Sequence, residues 1–283
     1  GLVICADARL PELVRMVALA GAKLIIDLAN LTATGPEMAK LSNAQCDYML
    51  STRARENKVW LAVSDKWGVE ADVVTYAGRA AVYSPDGTCV AQAPSDKNMI
   101  LSVEIPTDAK GEIICISGEE LPPRRPELYS SLTVETAKLP VYSRISEAVV
   151  PERLTAYVTV SSLESNAPFQ DVNRHIQLLL GLDPELIVLP AQTGEQDFTR
   201  FQGLLSNDQF LVVSHSAGKQ TQTYLLNNKE ILATYRTVSS VPQNGSENPE
   251  NNFPVVKDLP FGSIGFLHEK EMLLPEAARC LML

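Results

Sequence analysis

The sequence lacks several features that would place it in a specialised class of protein. It has five cysteines but no Cys-x-x-Cys pair, so neither a zinc site nor a disulfide framework is predicted. It has no run of about eighteen apolar residues, which a membrane-spanning helix would need. It also has no recognisable signal peptide. We therefore expect no metal, no cofactor, no membrane association and a cytoplasmic location.

Positive charge is also scarce. The 283 residues include 24 Lys and Arg against 34 Asp and Glu, which gives a net charge of −10. Nucleic-acid binding depends on clustered Lys and Arg that release counterions from phosphates, and the sequence has no such cluster. We therefore expect no nucleic-acid partner. The 45% of apolar residues is typical of a soluble globular protein with one large or two ordinary domains.

Apolar, β-branched segments alternate with segments of helical periodicity, which predicts an α/β fold. Pro11 begins a helix and Gly21 ends it, and a strand is predicted on either side of that helix. The same reasoning predicts a turn at 67–68 and a strand at 99–105. Residues 107–150 are predicted to form a tail or linker, and the polar segment 243–252 a loop.

The end of the chain resembles its beginning. Gly265 to Glu276 aligns without a gap on Gly1 to Glu12, and Gly265 lies 264 residues after Gly1. A repeat at this spacing indicates duplicated domains. We assign residues 1–150 to a first domain and residues 151–283 to a second. The chain starts without Met in an apolar run and stops in a helix-like segment, so we expect a fragment of a longer protein.

Cys5 is the candidate nucleophile. It follows a short apolar strand and precedes a turn and a helix start, which resembles a nucleophile elbow. Backbone N–H groups at such a turn and the helix dipole favour a negatively charged thiolate. Asp7 and Arg9 flank the turn and could pair to brace it. The alternative is that Cys5 is a small buried core residue, which is the usual role of a free cysteine.

The pattern G-x-x-I-C-x-D-x-R-x-P-E around Cys5 resembles the cysteine motif of the nitrilase superfamily, the carbon–nitrogen hydrolases. Further similarities follow in the family's order: R-A-R-E-N at 53–57, P-D-G at 85–87 and R-R-P-E-L-Y at 124–129. The resemblance covers residues 1–129 and implies the C-terminal half of an α-β-β-α sandwich. It also implies that Cys5 is the nucleophile and that the backbone N–H of Ala6 stabilises the oxyanion. The family's Glu base and Lys would then lie upstream of Gly1.

Residues 153–283 resemble the other half of such a domain, but its catalytic positions are changed. Ala191 replaces the Glu base, Thr237 replaces the Lys, and Glu269 occupies the position of the Cys. Ala cannot move a proton, Thr supplies no cation, and Glu is a poor replacement for a thiolate. The resemblance therefore implies a degenerate second domain. Three nearby charged residues are interpreted as solvated charges rather than shifted substitutes: Glu195, Lys219 and Lys229.

These features lead to alternative functions. The first is that the parent protein hydrolyses a small-molecule amide or related C–N bond through a thioester on Cys5, while this fragment alone is inactive. The second is a non-catalytic nitrilase-like pseudoenzyme or scaffold, and the third is acyl transfer to an amine through the same cysteine. The protein could form a homo-oligomer. The two halves could also dock as one permuted four-layer domain.

Overall fold

The computed structural model describes residues 1–35, 41–116, 121, 124–139, 141, 156–158, 166–191, 198–217, 220–237 and 255–282. The chain divides into two compact units, Gly1–Leu121 and Pro122–Leu283. Each unit has its own five-stranded sheet and its own apolar core. The domain boundary predicted between residues 150 and 151 lies outside the described residues, and so does the loop predicted at 243–252.

The first unit is built on a mixed sheet with the strand order β1-β2-β3-β6-β7. Its strands are β1 (Leu2–Ile4), β2 (Leu24–Leu28), β3 (Trp60–Ser64), β6 (Ala81–Tyr83) and β7 (Cys89–Gln92). Strands β1, β2 and β3 are parallel, whereas β6 and β7 are antiparallel to their neighbours. A separate antiparallel hairpin of β4 (Trp67–Glu70) and β5 (Val74–Ala77) connects β3 to β6.

Helices connect the parallel strands. Helix α1 (Pro11–Leu19) joins β1 to β2, and a π-helical turn (Gln45–Met49) leads into α2 (Leu50–Asn57), which precedes β3. Proline suits the first turn of α1 because no N–H is needed there. Gly21, with φ of 100°, turns the chain after that helix. This strand–helix–strand order places the carboxyl ends of β1, β2 and β3 at one edge of the sheet.

One face of β1 and β2 is covered by the helices of the first unit. Val3 and Ile25 belong to a buried cluster with Val14 of α1 and Leu50 of α2. Side chains alternate along a strand, so Ile4 points away from Val3 and is exposed. The burial of Val3 therefore fixes the orientation of β1, and with it the place where the strand ends at Cys5.

The second unit has the strand order β12-β11-β10-β9-β8. Its strands are β8 (Ala156–Val158), β9 (Leu186–Val188), β10 (Phe210–Ala217), β11 (Gln220–Leu226) and β12 (Ile231–Arg236). Strands β8, β9 and β10 are parallel, and β11 and β12 continue the sheet in antiparallel fashion. Helix α3 (Phe169–Leu180) contributes Val172 and Ile176 to the core.

The last part of the second unit is a hairpin followed by two helical segments. The hairpin consists of β13 (Val256–Leu259) and β14 (Gly262–Gly265). A 3-10 helix, Glu269–Leu273, and helix α4, Pro275–Met282, come next. Earlier in the same unit, the predicted tail contains three short 3-10 helices at Pro126–Leu128, Ser130–Thr133 and Thr136–Lys138.

The predicted α/β fold class is confirmed, because helices and mixed sheets alternate in both units. The four-layer sandwich stays a prediction. The strand predicted at 99–105 is wrong: this segment is irregular, and Ile100 is 94% exposed. The turn predicted at 67–68 is also wrong, because Trp67 and Gly68 begin β4 of a hairpin.

Helix α2 carries a buried ion pair. The guanidinium Nη1 of Arg53 lies 2.6 Å from Oε1 of Glu56, and the two side chains are 10% and 5% exposed. The Nε of Arg53 also donates a hydrogen bond to the carbonyl of Ala8, at 3.1 Å. The R-A-R-E-N sequence therefore joins α2 to the segment that follows Cys5.

We predict that Arg53→Ala lowers the free energy of unfolding of the first unit by about 3–5 kcal/mol, since it removes the charge partner of a buried carboxylate. Both tryptophans of the chain, Trp60 and Trp67, lie in this unit, so urea unfolding followed by tryptophan fluorescence reports on it. The exposed Arg55 of the same helix provides a control, and Arg55→Ala should change stability by less than about 0.5 kcal/mol. Equal effects of the two substitutions would contradict the prediction.

Candidate active site

The backbone turns sharply where β1 ends. Cys5 has φ of 49° and begins a 3-10 helix, Cys5–Arg9. This left-handed region costs a non-glycine residue about 1–2 kcal/mol, and it persists only where surrounding contacts hold it. A strained residue between a strand and a helix is the geometry of a nucleophile elbow, which presents a side chain at the sheet edge.

Side chains from three elements hold the backbone of this elbow. Oδ1 of Asp27, in β2, accepts the N–H of Cys5 at 2.7 Å. Nε2 of Gln45, in the π-helical turn, donates to the carbonyl of Cys5 at 2.9 Å. Oδ2 of Asp7 accepts the N–H of Ile4 at 3.0 Å. Both backbone polar groups of Cys5 are therefore bonded to side chains that lie far away in the sequence.

Asp7 and Arg9 brace the turn, but not by pairing with each other as the sequence suggested. Asp7 bonds to the backbone, as described, whereas Nε of Arg9 donates to Oε1 of Gln45 at 2.6 Å. Gln45 is fully buried and connects Arg9 to the carbonyl of Cys5. The pairing expectation was wrong because a buried amide competes for the guanidinium.

The thiol of Cys5 is half-buried, and its Sγ lies 3.9 Å from the carbonyl oxygen of Asn30. Ala6 is exposed in the first turn of the 3-10 helix. N–H groups in a first turn have no acceptor within their own helix, so that of Ala6 can donate to an oxyanion. The elbow thus brings a thiol and a backbone donor together at the carboxyl end of β1.

Two acidic residues at the same sheet edge were missed by the sequence analysis. Asp27 is fully buried, and this burial raises its pKa to about 6 although the N–H of Cys5 opposes the change. Burial also raises the pKa of Asp65, which accepts the N–H of Leu31 at 2.8 Å. The signal that could have found Asp27 is a single charged residue inside the apolar strand Leu24–Leu28.

The changed positions of the second unit are only partly brought together. Ala191 is exposed, three residues after the end of β9, and Thr237 directly follows β12. Glu269 begins a 3-10 helix, and its side chain lies outside the described residues, as do Glu195 and Lys219. Thr237 Oγ1 lies 2.8 Å from Nδ1 of His268, the residue before Glu269.

His268 is at the centre of a hydrogen-bonded series in the second unit. Thr237 Oγ1 donates to the carbonyl of Thr221 at 3.0 Å, so it accepts a proton from Nδ1 of His268. Nε2 of His268 then accepts from Oγ1 of Thr223, at 2.7 Å. Burial lowers the pKa of His268, while Glu271 opposes this effect. Hydroxyl groups and a neutral imidazole therefore occupy the described part of this cluster.

The two segments related by the sequence repeat have the same local geometry. Cys5–Arg9 and Glu269–Leu273 are five-residue 3-10 helices, and each is followed by an extended leucine and a helix that begins with proline. Glu271 accepts the N–H of His268 at 3.0 Å, just as Asp7 accepts the N–H of Ile4. The repeat therefore extends to a hydrogen bond that caps each turn.

Known proteins resemble the first part of this chain. Residues 1–113 match the carbon-nitrogen hydrolase family. This segment belongs to the nitrilase superfamily. A curated relative of the hydrolase segment, "Hydrolase in pqqF 5'region" of Pseudomonas protegens, is 32% identical over 134 residues, which are 47% of this chain and 43% of the relative. The chain thus spans less than half the length of that protein.

Solved structures of carbon–nitrogen hydrolases overlap with the chain over about a third of its length. A mutant of Nesterenkonia AN1 amidase from the nitrilase superfamily is 27% identical, with 34% of this chain and 33% of that chain covered and a TM-score of 0.29. A carbon-nitrogen hydrolase from Helicobacter pylori G27 is 25% identical, with 35% and 37% covered and a TM-score of 0.30.

Two further searches of the structure concern membranes and metals. Among the described residues, no helix has the length and apolar character needed to cross a bilayer. Within the same ranges, no group of three or more His, Cys, Asp or Glu side chains is arranged to hold a metal ion.

The left-handed backbone at Cys5 leads to a stability prediction. Cys5→Gly should be more stable than Cys5→Ala by about 1 kcal/mol, because glycine adopts positive φ without steric cost. Both substitutions remove the thiol, so its loss cancels in the comparison. Urea unfolding followed by tryptophan fluorescence measures the difference. As a control, Ala18→Gly inside α1 should be destabilising by about 1 kcal/mol. A Gly variant less stable than the Ala variant would show that Cys5 is unstrained.

Asp27 should make stability depend on pH. Its pKa of about 6 in the folded state exceeds the ordinary value of 3.8, so the folded state binds the proton more tightly. The stabilisation is therefore present at low pH and is lost as the pH rises from about 4 to about 6. Asp27→Asn should flatten this part of the stability curve by up to about 3 kcal/mol.

Urea titrations at several pH values between 4 and 7 measure this dependence. Asp96→Asn, which replaces an exposed carboxylate of the same unit, should leave the curve unchanged. A wild-type curve that rises steadily through this range, or an equal flattening in both variants, would refute the assignment to Asp27.

Proposed function

We propose that the protein to which this chain belongs hydrolyses a small-molecule amide or a related C–N bond through Cys5. The observation that carries the proposal is the left-handed backbone of Cys5, bonded by Asp27 and Gln45 at the carboxyl end of a parallel strand. Structural cysteines need no such strained presentation, whereas nucleophiles at elbows do. Membership of residues 1–113 in the carbon-nitrogen hydrolase family supports the same chemistry.

The proposed reaction has two stages. The thiolate of Cys5 attacks the amide carbon, a C–S bond forms, and the carbonyl electron pair moves to oxygen, where the N–H of Ala6 stabilises the charge. The C–N bond then breaks, and the amine leaves with a proton. Water attacks the thioester, which releases the acid and regenerates the thiol. The general base and the cation are, in this proposal, contributed by the Glu and Lys expected upstream of Gly1.

We further propose that the second unit is a non-catalytic relative of the first. Ala191 and Thr237 stand where the family resemblance expects the base and the cation, and Thr237 is bonded to His268. The shared capping geometry at Asp7 and Glu271 supports a common origin. A unit that keeps the fold without the reactive groups suits a structural role beside the catalytic one.

Covalent labelling of the full-length protein tests the proposal. Fluoroacetamide is a suitable probe, since an acetamide group from it was added to the active-site cysteine of an amidase from Nesterenkonia sp. AN1. We predict that peptide mass spectrometry finds the acetamide group on Cys5, with fluoride displaced by the thiolate. Small amides should release ammonia, and Cys5→Ala should lower that rate by at least about 1,000-fold.

Cys89→Ser is the matched control, because Cys89 is an exposed thiol of the same unit that lies away from the elbow. This variant should keep both the adduct and the ammonia release. An adduct or an amidase rate that survives in Cys5→Ala would overturn the assignment of the nucleophile. An adduct on the second unit would contradict its non-catalytic role.

A further inference from the structure

Asp27 is an unusual residue for its position. It is fully buried in β2, where its neighbours Ile25 and Ile26 are apolar. Its Oδ1 accepts the N–H of Cys5 at 2.7 Å, whereas its Oδ2 is buried and has no hydrogen-bond partner among the described residues. A half-satisfied carboxylate in a buried strand is unfavourable for folding, so its presence calls for a reason beyond stability.

The hydrogen bond replaces the end of a strand ladder. Strand β1 pairs with β2 through Val3 with Asp27 and Ile4 with Leu28, and the pairing stops there. At Cys5 the backbone turns away from the sheet, and its N–H is taken by a side chain instead of the backbone of β2. An asparagine would supply the same acceptor without a charge. The hydrogen bond alone therefore does not explain why this residue is an acid.

We propose that Asp27 is a positioning residue for Cys5: it holds the elbow through the backbone N–H, and its charge makes the reactivity of the thiol depend on pH. This inference rests on the proposed function only in treating Cys5 as the nucleophile. Asp27 acts through the backbone and the local electrostatic field and does not touch the substrate.

The surroundings of Asp27 make its charge easy to change. Its charged neighbours within the described residues are two acids, Asp7 in the 3-10 helix and Asp65 after β3, and both oppose its ionisation. Burial contributes most and raises its pKa to about 6. Above that pH the ionised carboxylate strengthens its bond to the N–H of Cys5 but opposes a second negative charge on Sγ. Below it, the opposition disappears.

The rate of Cys5 alkylation by iodoacetamide between pH 5 and pH 8 tests the inference. Peptide mass spectrometry separates Cys5 from the four other cysteines. The thiolate is the reactive form, so the rate of an isolated thiol rises about tenfold per pH unit in this range. In the wild-type chain we expect a shallower rise near pH 6, since Asp27 ionises there and then opposes the thiolate. Asp27→Asn should restore a uniform rise and react about threefold faster at pH 8.

Two further variants separate the roles of Asp27 from general effects. Asp65→Asn removes the other buried acid, and the shallow region should persist at a slightly lower pH. Asp27→Leu removes the acceptor, so the backbone amide of Cys5 should exchange its hydrogen at least about tenfold faster than in Asp27→Asn. Equal exchange in these two variants would exclude a positioning role.

The wild-type profile decides the question by itself if a variant does not fold. A uniform tenfold rise per pH unit through pH 6 would overturn the inference, and so would a shallow region that persists in Asp27→Asn. No amide substrate is used in this experiment. A protein that shows the expected profile but releases no ammonia from amides would contradict the proposed hydrolysis and leave the role of Asp27 supported.

Discussion

Cys5 stays in the left-handed region because hydrogen bonds from separate elements hold its N–H and its carbonyl at the same time. Asp27 reaches the N–H from β2, and Gln45 reaches the carbonyl from the π-helical turn. Arg53 of α2 adds a bond to the carbonyl of Ala8. The elbow therefore forms only when the sheet and both helical connections are in place, which makes its geometry a property of the whole unit.

This dependence explains what the sequence could and could not predict. Local signals at Pro11 and Gly21 were sufficient for α1, and the pattern around Cys5 was sufficient for the strand-to-helix turn. The contacts of Cys5 with Asp27 and Gln45 join residues 22 and 40 positions apart. No local pattern encodes such pairs, and the only available hint was one charge in an apolar strand.

The errors of prediction have the same origin. Residues 99–105 have the composition of a strand, but a strand needs a neighbour, and the sheet of the first unit ends at β7 with no pairing to this segment. Trp67 and Gly68 suggested only a turn because β4 and β5 are short and mainly exposed or half-buried. In both cases the tertiary partner, rather than the segment itself, decided the structure.

The repeat shows which part of the elbow belongs to the fold and which to the chemistry. Glu271 caps the N–H of His268 as Asp7 caps that of Ile4, although no thiol follows His268. A cap that persists where the nucleophile has been replaced must be retained for folding, so it is no sign of catalysis. The chemical character of the first unit then depends on what lies beyond the cap. These features are the thiol of Cys5, its strained backbone, and the buried acid that holds it.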